Sequence, residues 1–371
     1  MKDGKDLSFP KGRRGERGNL GSPLAQHNRT IRKLNCFIKL FLLHKKQSRI
    51  NMATYEKEDI TEIKKIDGSA EVTYKDGSIY VGMWDDDYMR HGTGIMKYPT
   101  KEYDDDFDVL HASWVNNKCE DGYAKYVWAD GSCFTGTMEN ETFNGYGTLD
   151  NREHKFKYIG DFVNGFRDGN GKIVYDCGNV YEGEWEKDKK TGYGKITFQN
   201  KNTYTGMFLR DKKHGTGKYM WADGKEWYDG DWEKDRMTGY GTYQYANGDK
   251  YQGEIKNDEE NGYGQMMYKM SGHTYEGDFK CGLRSGQGIM YYYNGDVYDG
   301  LWKSDKRNGP GKLLYEDESY YVGTWENNKR TGLGQLCSSP IYHTDGEIYR
   351  DITIGIWNND EQLGRSMNYY E

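Results

Sequence analysis

The sequence predicts an all-β protein, laid down hairpin after hairpin, on three observations. A glycine-bearing phrase recurs at steps that are mostly 23 or 24 residues. Within each phrase the side chains alternate with a period of two, the signature of a strand with two unlike faces. The apolar mass is carried by rings, 34 Tyr, 12 Phe and 10 Trp, rather than by aliphatic chains.

Mean hydropathy is −1.05 with only 35% hydrophobic residues, values that alone suggest disorder, yet a solvated tail has no use for so many rings. With 49 Gly and only 5 Pro, the glycine reads as structural and not as linker. The net charge of −7 is uneven: residues 1–51 carry 13 Lys and Arg against 3 Asp and Glu, hence +10, and the remainder carries −17. An acidic body disfavours nucleic acid, which needs a basic surface of some size. Cys36, Cys119, Cys133, Cys177, Cys281 and Cys337 are scattered without a CxxC, which predicts reduced thiols in a cytosolic protein rather than a disulfide framework or zinc site. No secretory signal precedes the first apolar cluster near Ile31, and no run approaches the ~20 apolar residues of a membrane span.

In chain order, residues 1–51 form a basic, atypical segment. Ile31, Leu34, Phe37, Ile38 and Phe41 fall at helical spacing among lysines, as in a membrane-surface or partner-groove helix over 31–46. The alternatives are a leader upstream of a start at Met52, a disordered segment, or a transit sequence. Residues 52–77 read as a lead-in and cap, and residues 78–371 as the array with a C-terminal cap.

The phrase is clearest in "YEGEWEKDKKTGYGKITF". Tyr181, Gly183 and Trp185 share one strand face, leaving Glu182 and Glu184 on the other; Gly192, Gly194, Ile196 and Phe198 are expected to share a face in the same way. "EKDKKT" reads as the turn within a unit, and "ADG", "ANG" or "YNG" as the turn between units. The first glycine of each phrase is Gly82, Gly136, Gly160, Gly183, Gly206, Gly230, Gly253, Gly277, Gly300, Gly323 and Gly355, with Ala112 standing in once, which makes twelve units. Glycine weakens a strand unless something needs its bare backbone. The expected reason is a Tyr or Trp ring from a neighbouring strand lying across it.

The unit YxGxW, a polar turn, GxG, an aromatic and an Asn/Asp-Gly turn resembles the MORN repeat (membrane occupation and recognition nexus) from Ser78 to Tyr370. The resemblance implies about twelve tandem hairpins in a single-layer, twisted antiparallel sheet, shaped as an elongated rod with a groove. Leu110, Ala112, Thr353 and Ser366 depart from the pattern, which marks the second and last units as distorted or capping. Repeat-only proteins of this type are similar to radial-spoke-head and axonemal components, so the resemblance implies a cytoskeletal scaffold, with a ciliary or flagellar setting.

Candidate sites follow from the repeat. A basic ladder of Lys189, Lys190, Lys212, Lys213, Arg236, Lys306, Arg307, Lys329 and Arg330 sits by the turn within each unit, where it could meet anionic lipid head groups or an acidic protein, or be a solvated, locally neutralised edge. Tyr146, Tyr193, Tyr240 and Tyr263, the middle residues of GxG, either grip a partner along the groove or pack on adjacent units. Neither "DDDY" from Asp85 nor "EYDDDFD" from Glu102 has the alternating ligands of a calcium loop. No catalytic grouping, metal site or cofactor is read. The expected function is a non-enzymatic scaffold; the alternatives are a membrane module binding anionic phospholipid and a regulatory subunit of a lipid kinase. Open sheet edges also predict a homodimer through the terminal unit around Trp357, unless Pro340 blunts that edge.

Overall fold

The computed structural model describes residues 55–66, 68–100, 106–342 and 348–370; the candidate helix at 31–46 and the rest of the basic segment lie outside them. Among the described residues there is no α-helix, only a 3-10 turn at Lys57–Asp59, and every strand pairing is antiparallel. Hairpins stand at all twelve positions marked by the recurrent glycine.

The chain divides into two compact units, Met1–Gly147 with Asn151–His154, and Thr148–Asp150 with Lys155–Glu371. The first unit opens with a lead hairpin, Ile60–Ile66 against Ser69–Tyr74. Its outer strand, with Glu62, Lys64 and Lys65 exposed, is the charged kind of edge that resists further pairing. Tyr55 closes this end, stacked on Tyr74 at 4.1 Å, its hydroxyl donating to Asp76 and accepting from the Ser78 hydroxyl. The distortion expected in the second repeat is present: its return strand is broken into Lys118–Cys119 and Gly122–Val127.

The second unit is an open sheet of consecutive hairpins, from Phe156–Val163 with Phe166–Tyr175 to Asp351–Asn358 with Glu361–Tyr370. Each hairpin is closed by two residues, both at positive φ, as at Lys187 (46°) and Asp188 (65°). This is the turn whose twist suits a two-residue hairpin, so the turn within a unit is shorter than the expected "EKDKKT". Successive hairpins are joined by turns such as Tyr175–Asn179, where Gly178 takes φ 85°.

Register explains the glycines. Gly183 pairs with Gly194, but Trp185 pairs with Lys190, so Glu184 alone opposes Thr191, Gly192 and Tyr193. The two members of GxG therefore have different tasks, contrary to the expectation that both share the ring face. Gly194 lies beneath the Tyr181 ring, and a Cβ there would stand 2.5 Å from the Tyr181 hydroxyl oxygen. Gly192 takes φ 52° and faces the Glu184 carboxylate. The ring over Gly183 also comes from its own strand rather than from a neighbour: a Cβ on Gly183 would meet Tyr181 as well as the Gly194 Cα at 2.5 Å.

The bulge also explains why the seated ring is tyrosine. It releases the carbonyl three residues on, which accepts the hydroxyl: Tyr181 donates to Glu184 at 2.9 Å, Tyr204 to Met207 at 2.8 Å and Tyr251 to Glu254 at 2.7 Å. A buried phenol thus finds its partner inside its own hairpin. The core is a file of such rings. Tyr298 meets Trp302 edge-on at 5.2 Å and the next repeat's Trp325 at 5.4 Å; Tyr321 continues to Trp325 and Trp357.

Candidate functional site

Three rows of side chains recur along the second unit, one beneath the rings, one at the turn rim and one on the outward face. The basic ladder divides between the first two. Lys189, Lys212, Arg236, Lys306 and Lys329 are exposed at the rim, each the first residue after its turn. Their opposite neighbours are Glu186 for Lys189, Glu233 for Arg236 and Glu326 for Lys329, but Leu209 for Lys212 and Lys303 for Lys306, so three of the five rim cations face an acid. Lys190 and Lys213 are buried, and Arg307 and Arg330 are half-buried. These four turn under the rings and are withdrawn from the edge where a ladder would meet a partner.

Apart from Lys190, which is followed by Phe208 and lies 5.7 Å from the Trp185 ring of its own repeat, the inward cations stack on the indole of the following repeat. Arg167 lies 4.5 Å from the Trp185 ring centre, Lys213 4.0 Å from Trp232, Arg284 4.4 Å from Trp302, Arg307 4.1 Å from Trp325 and Arg330 4.2 Å from Trp357. In the first unit Arg90 sits 4.4 Å from Trp114 in the same way. Such contacts are strong where water is excluded. Indole nitrogens add a second link between repeats, Trp232 donating to the Gly217 carbonyl at 2.8 Å and Trp302 to Gly288 at 3.0 Å.

The turn aspartates complete this clamp. Asp188 Oδ1 accepts from both the backbone N–H and the Nε of Arg167, at 3.0 and 2.8 Å, while Asp188 N–H returns a bond to the Arg167 carbonyl. Asp305 does the same for Arg284 and Asp360 for Arg330. At the opposite edge, Asn179, Asn202, Asp249 and Asp296 each accept a backbone N–H from the next inter-unit turn. Both edges are thus stitched repeat to repeat. Lys213 has the least help: burial lowers its ammonium to about 8, with Asp235 opposing the shift.

One repeat shows what the clamp requires. Met237 occupies the cation position and Ile255 the following indole position, yet Asp258 still accepts the Met237 backbone N–H at 2.8 Å. A buried ion pair can be exchanged for apolar packing at little cost, whereas removing one partner leaves a charge stranded. We therefore expect Asp305→Ala to destabilise the array by about 2 kcal/mol and Arg284→Met to cost clearly less. Thermal melts followed by circular dichroism compare the two; equal losses would contradict this account of the clamp.

The outward row contains the GxG tyrosines. Tyr146, Tyr193, Tyr240 and Tyr263 are 64%, 57%, 55% and 55% exposed, so their rings stand out from the sheet; Tyr263 also reaches the next unit, donating its hydroxyl to Glu276 at 2.9 Å. The bulge carboxylates flank them. Glu184 accepts the Tyr193 backbone N–H at 2.8 Å and Asp231 that of Tyr240 at 2.9 Å. The acid thereby caps an N–H that the register shift leaves without a cross-strand carbonyl.

Sequence reasoning placed Tyr181, Gly183, Trp185 and Gly194 on the ring face, where they are. It missed the inward turn of the second cation of each pair and the carboxylate seat on the first glycine. The signal for the first was available: Asp or Asn recurs 21 residues after Arg167, Lys190, Arg284 and Arg307. Trp357, expected at a dimer contact, is buried; the exposed apolar side chains of that end are Leu333, Ile356 and Leu363, adjacent across three strands.

The repeat model of the MORN family matches residues 80–102, 112–133, 158–180, 181–203, 204–226, 228–250, 251–272, 275–297, 298–320 and 321–339, more than half of the chain. The chain belongs to the MORN-repeat family. The matched family is a non-enzymatic repeat domain. Two hairpins that the match omits, Cys133–Glu139 with Thr142–Asn151 and Asp351–Asn358 with Glu361–Tyr370, have Phe134 and Thr353 in place of the seated tyrosine.

No curated protein matches the sequence. Among solved structures, the chain is similar to the SAS-4 (dCPAP) TCP domain in complex with a proline-rich motif of Ana2 (dSTIL) of Drosophila melanogaster, at 14% identity and TM-score 0.20, covering 54% of this chain and 84% of that one. It is also similar to a streptogramin B lyase, at 10% identity and TM-score 0.13, covering 82% and 92%. Superposition this weak carries no functional argument.

Proposed function

We propose that this MORN protein is a non-enzymatic scaffold that docks other proteins of a cytoskeletal assembly along its repeats, in the cytoplasm and by preference in the ciliary or flagellar axoneme. The observation that carries the reading is the division of labour within each unit. Cations, aspartates and indoles hold one repeat to the next, while the outward face presents residues that the fold leaves free to vary, from Tyr193 and Thr216 to Pro310 and Leu333. A stitched array with a variable face suits contacts distributed over many repeats. The axonemal setting rests on the family resemblance.

An anionic-lipid module is the competing reading, favoured by the exposed rim row of Lys189, Lys212, Arg236, Lys306 and Lys329. Neighbouring acids weaken it, because a surface that holds anionic head groups needs a net basic excess. Self-association is part of the scaffold reading, through Leu333, Ile356 and Leu363 beside the terminal strand.

Full-length tagged protein, expressed in ciliated cells beside an untagged copy, separates these readings. The scaffold reading expects co-purification of cytoskeletal proteins and of the second copy, with axonemal fluorescence. It also expects no sedimentation with phosphatidylserine vesicles. Vesicle binding abolished by Lys189→Ala with Lys212→Ala, and no protein partner, would overturn it.

A further inference from the structure

We propose that the outward face between the strands Trp227–Glu233 and Val297–Lys303 is a docking surface for an extended, lysine- or arginine-rich segment of a partner protein, with cations seated on Tyr240 and Tyr263. This deepens the scaffold reading and rests on it.

The register places two adjacent rows on this face. One runs through Asp231, Tyr240, Glu254, Tyr263 and Asp278 to Gln287 and Leu301; in it Tyr240 stands directly opposite Glu254, and Tyr263 opposite Asp278. The other runs from Asp229 through Thr242, Gln252, Gln265, Glu276 and Ile289 to Asp299. Six carboxylates and two exposed tyrosines stand on these rows, with no Lys or Arg; Lys250 stands one row over on the same face, opposite Gln244 and Met267, and Arg236, Lys256 and Lys280 lie at the turn rim. Each tyrosine thus has a carboxylate opposite it, and the pair offers both attractions that hold a cation, a ring face and a negative charge.

The outward surface already contains this contact in miniature at its near border. Lys218 Nζ lies 4.1 Å from the Trp227 ring centre and 3.8 Å from Asp229. From Asp231 onward these two rows continue the same chemistry without a cation of their own, so charge complementarity selects a basic occupant.

Spacing selects its conformation. Tyr240 and Tyr263 lie on strands two apart, hence about 10 Å from each other. A chain extended as a polyproline II helix rises about 3.1 Å per residue with three residues per turn, so cations at every third residue would lie on one side, about 9 Å apart, and reach both rings in turn. A segment with its lysines clustered would satisfy the charge but not the rings.

The test uses the full chain and a fluorescein-labelled peptide of five Lys-Gly-Ser triplets, read by anisotropy. A peptide of the same composition with its lysines contiguous is the control. The proposal expects tighter binding of the spaced peptide, weakening with salt, and at least a tenfold loss in Tyr240→Ala with Tyr263→Ala at an unchanged melting temperature. Tyr123→Ala with Tyr146→Ala, more exposed and in another part of the chain, should leave binding intact. Equal affinity for both peptides, indifference to the Tyr240 and Tyr263 changes, or no binding would each overturn it. A cytoskeletal partner that the Tyr240 and Tyr263 variant still retains would keep the scaffold reading and sink this surface alone.

Discussion

Alanine at Gly217 is expected to destabilise the second unit by about 3 kcal/mol, and alanine at Gly206 by more. The two glycines face each other across one hairpin, but their surroundings differ. The three atoms nearest an added Cβ on Gly217 all belong to the Tyr204 side chain, with Cε2 and Cζ at 2.6 Å. An added Cβ on Gly206 would run into the Gly217 Cα and, at 2.6 Å, the Thr216 carbonyl oxygen. A ring can tilt away by shifting its neighbours Phe208 and Trp232, which it meets edge-on at 5.1 and 5.3 Å. Backbone held in a ladder cannot yield without breaking its register, so Gly206→Ala carries the larger loss. Thermal melts by circular dichroism measure both, with Thr216→Ala on the outward face as a variant that should melt like the parent.

The array is also expected to unfold between about pH 10 and 12. Burial lifts the Tyr80 hydroxyl to about 12, and lifts those of Tyr158, Tyr181, Tyr204, Tyr228, Tyr251, Tyr275, Tyr298 and Tyr321 above the ordinary phenol value. A tyrosine with a raised pKa keeps its proton in the folded chain while the unfolded chain loses it. Above pH 10 the folded state therefore binds more protons, and stability falls as pH rises. Below pH 10 both states are protonated and the contribution is complete. The limiting slope is about 1.4 kcal/mol per pH unit for each ring, so several rings acting together exceed the stability of an ordinary domain within one or two units.

Lys213 works in the opposite sense. Its depressed pKa means that the folded chain sheds a proton near pH 8 while the unfolded chain holds it to about 10.5. Stability gains from this group across that interval and no further. One lysine against nine tyrosines leaves the alkaline loss dominant. Equilibrium circular dichroism from pH 8 to 12 checks the sign, and an array stable at pH 12 would contradict it.

Much of this was legible in the sequence because the repeat reports its own geometry. Alternation in Tyr181, Gly183 and Trp185 identified the ring face, and the recurrence of glycine identified what the rings cover. The chain even contains its own control. In the second repeat Leu110 stands at the tyrosine position and is fully buried, and Ala112 and Ala124 stand where the two glycines would be, opposite Gly94 and Gly136. Where the seated ring is absent, the backbone beneath it no longer has to be bare.

What the sequence hid depends on the register shift. Strict alternation assigns Gly192 and Gly194 to one face, but three residues opposite one turn Gly192 outward to a positive φ. Period-two reasoning has no means of expressing such a slip. The inward cations were missed for a related reason. Lys190 and Lys213 look like turn residues beside Asp188 and Asp211, and the turn proved to be two residues long. A buried lysine is unusual enough that only its recurrent partners, an aspartate one turn later and an aromatic residue in the next repeat, Phe208 after Lys190 and Trp232 after Lys213, could have shown it.

The central claim is that the ring of Tyr204 is what forbids a side chain at Gly217. A double-mutant cycle with Tyr204→Ala isolates that contact, since neighbouring residues that share one contact couple strongly. The account predicts that Gly217→Ala costs little once Tyr204 is alanine, while Gly206→Ala remains costly in the same background because its obstacle is backbone. Additive losses for Gly217→Ala and Tyr204→Ala would contradict it.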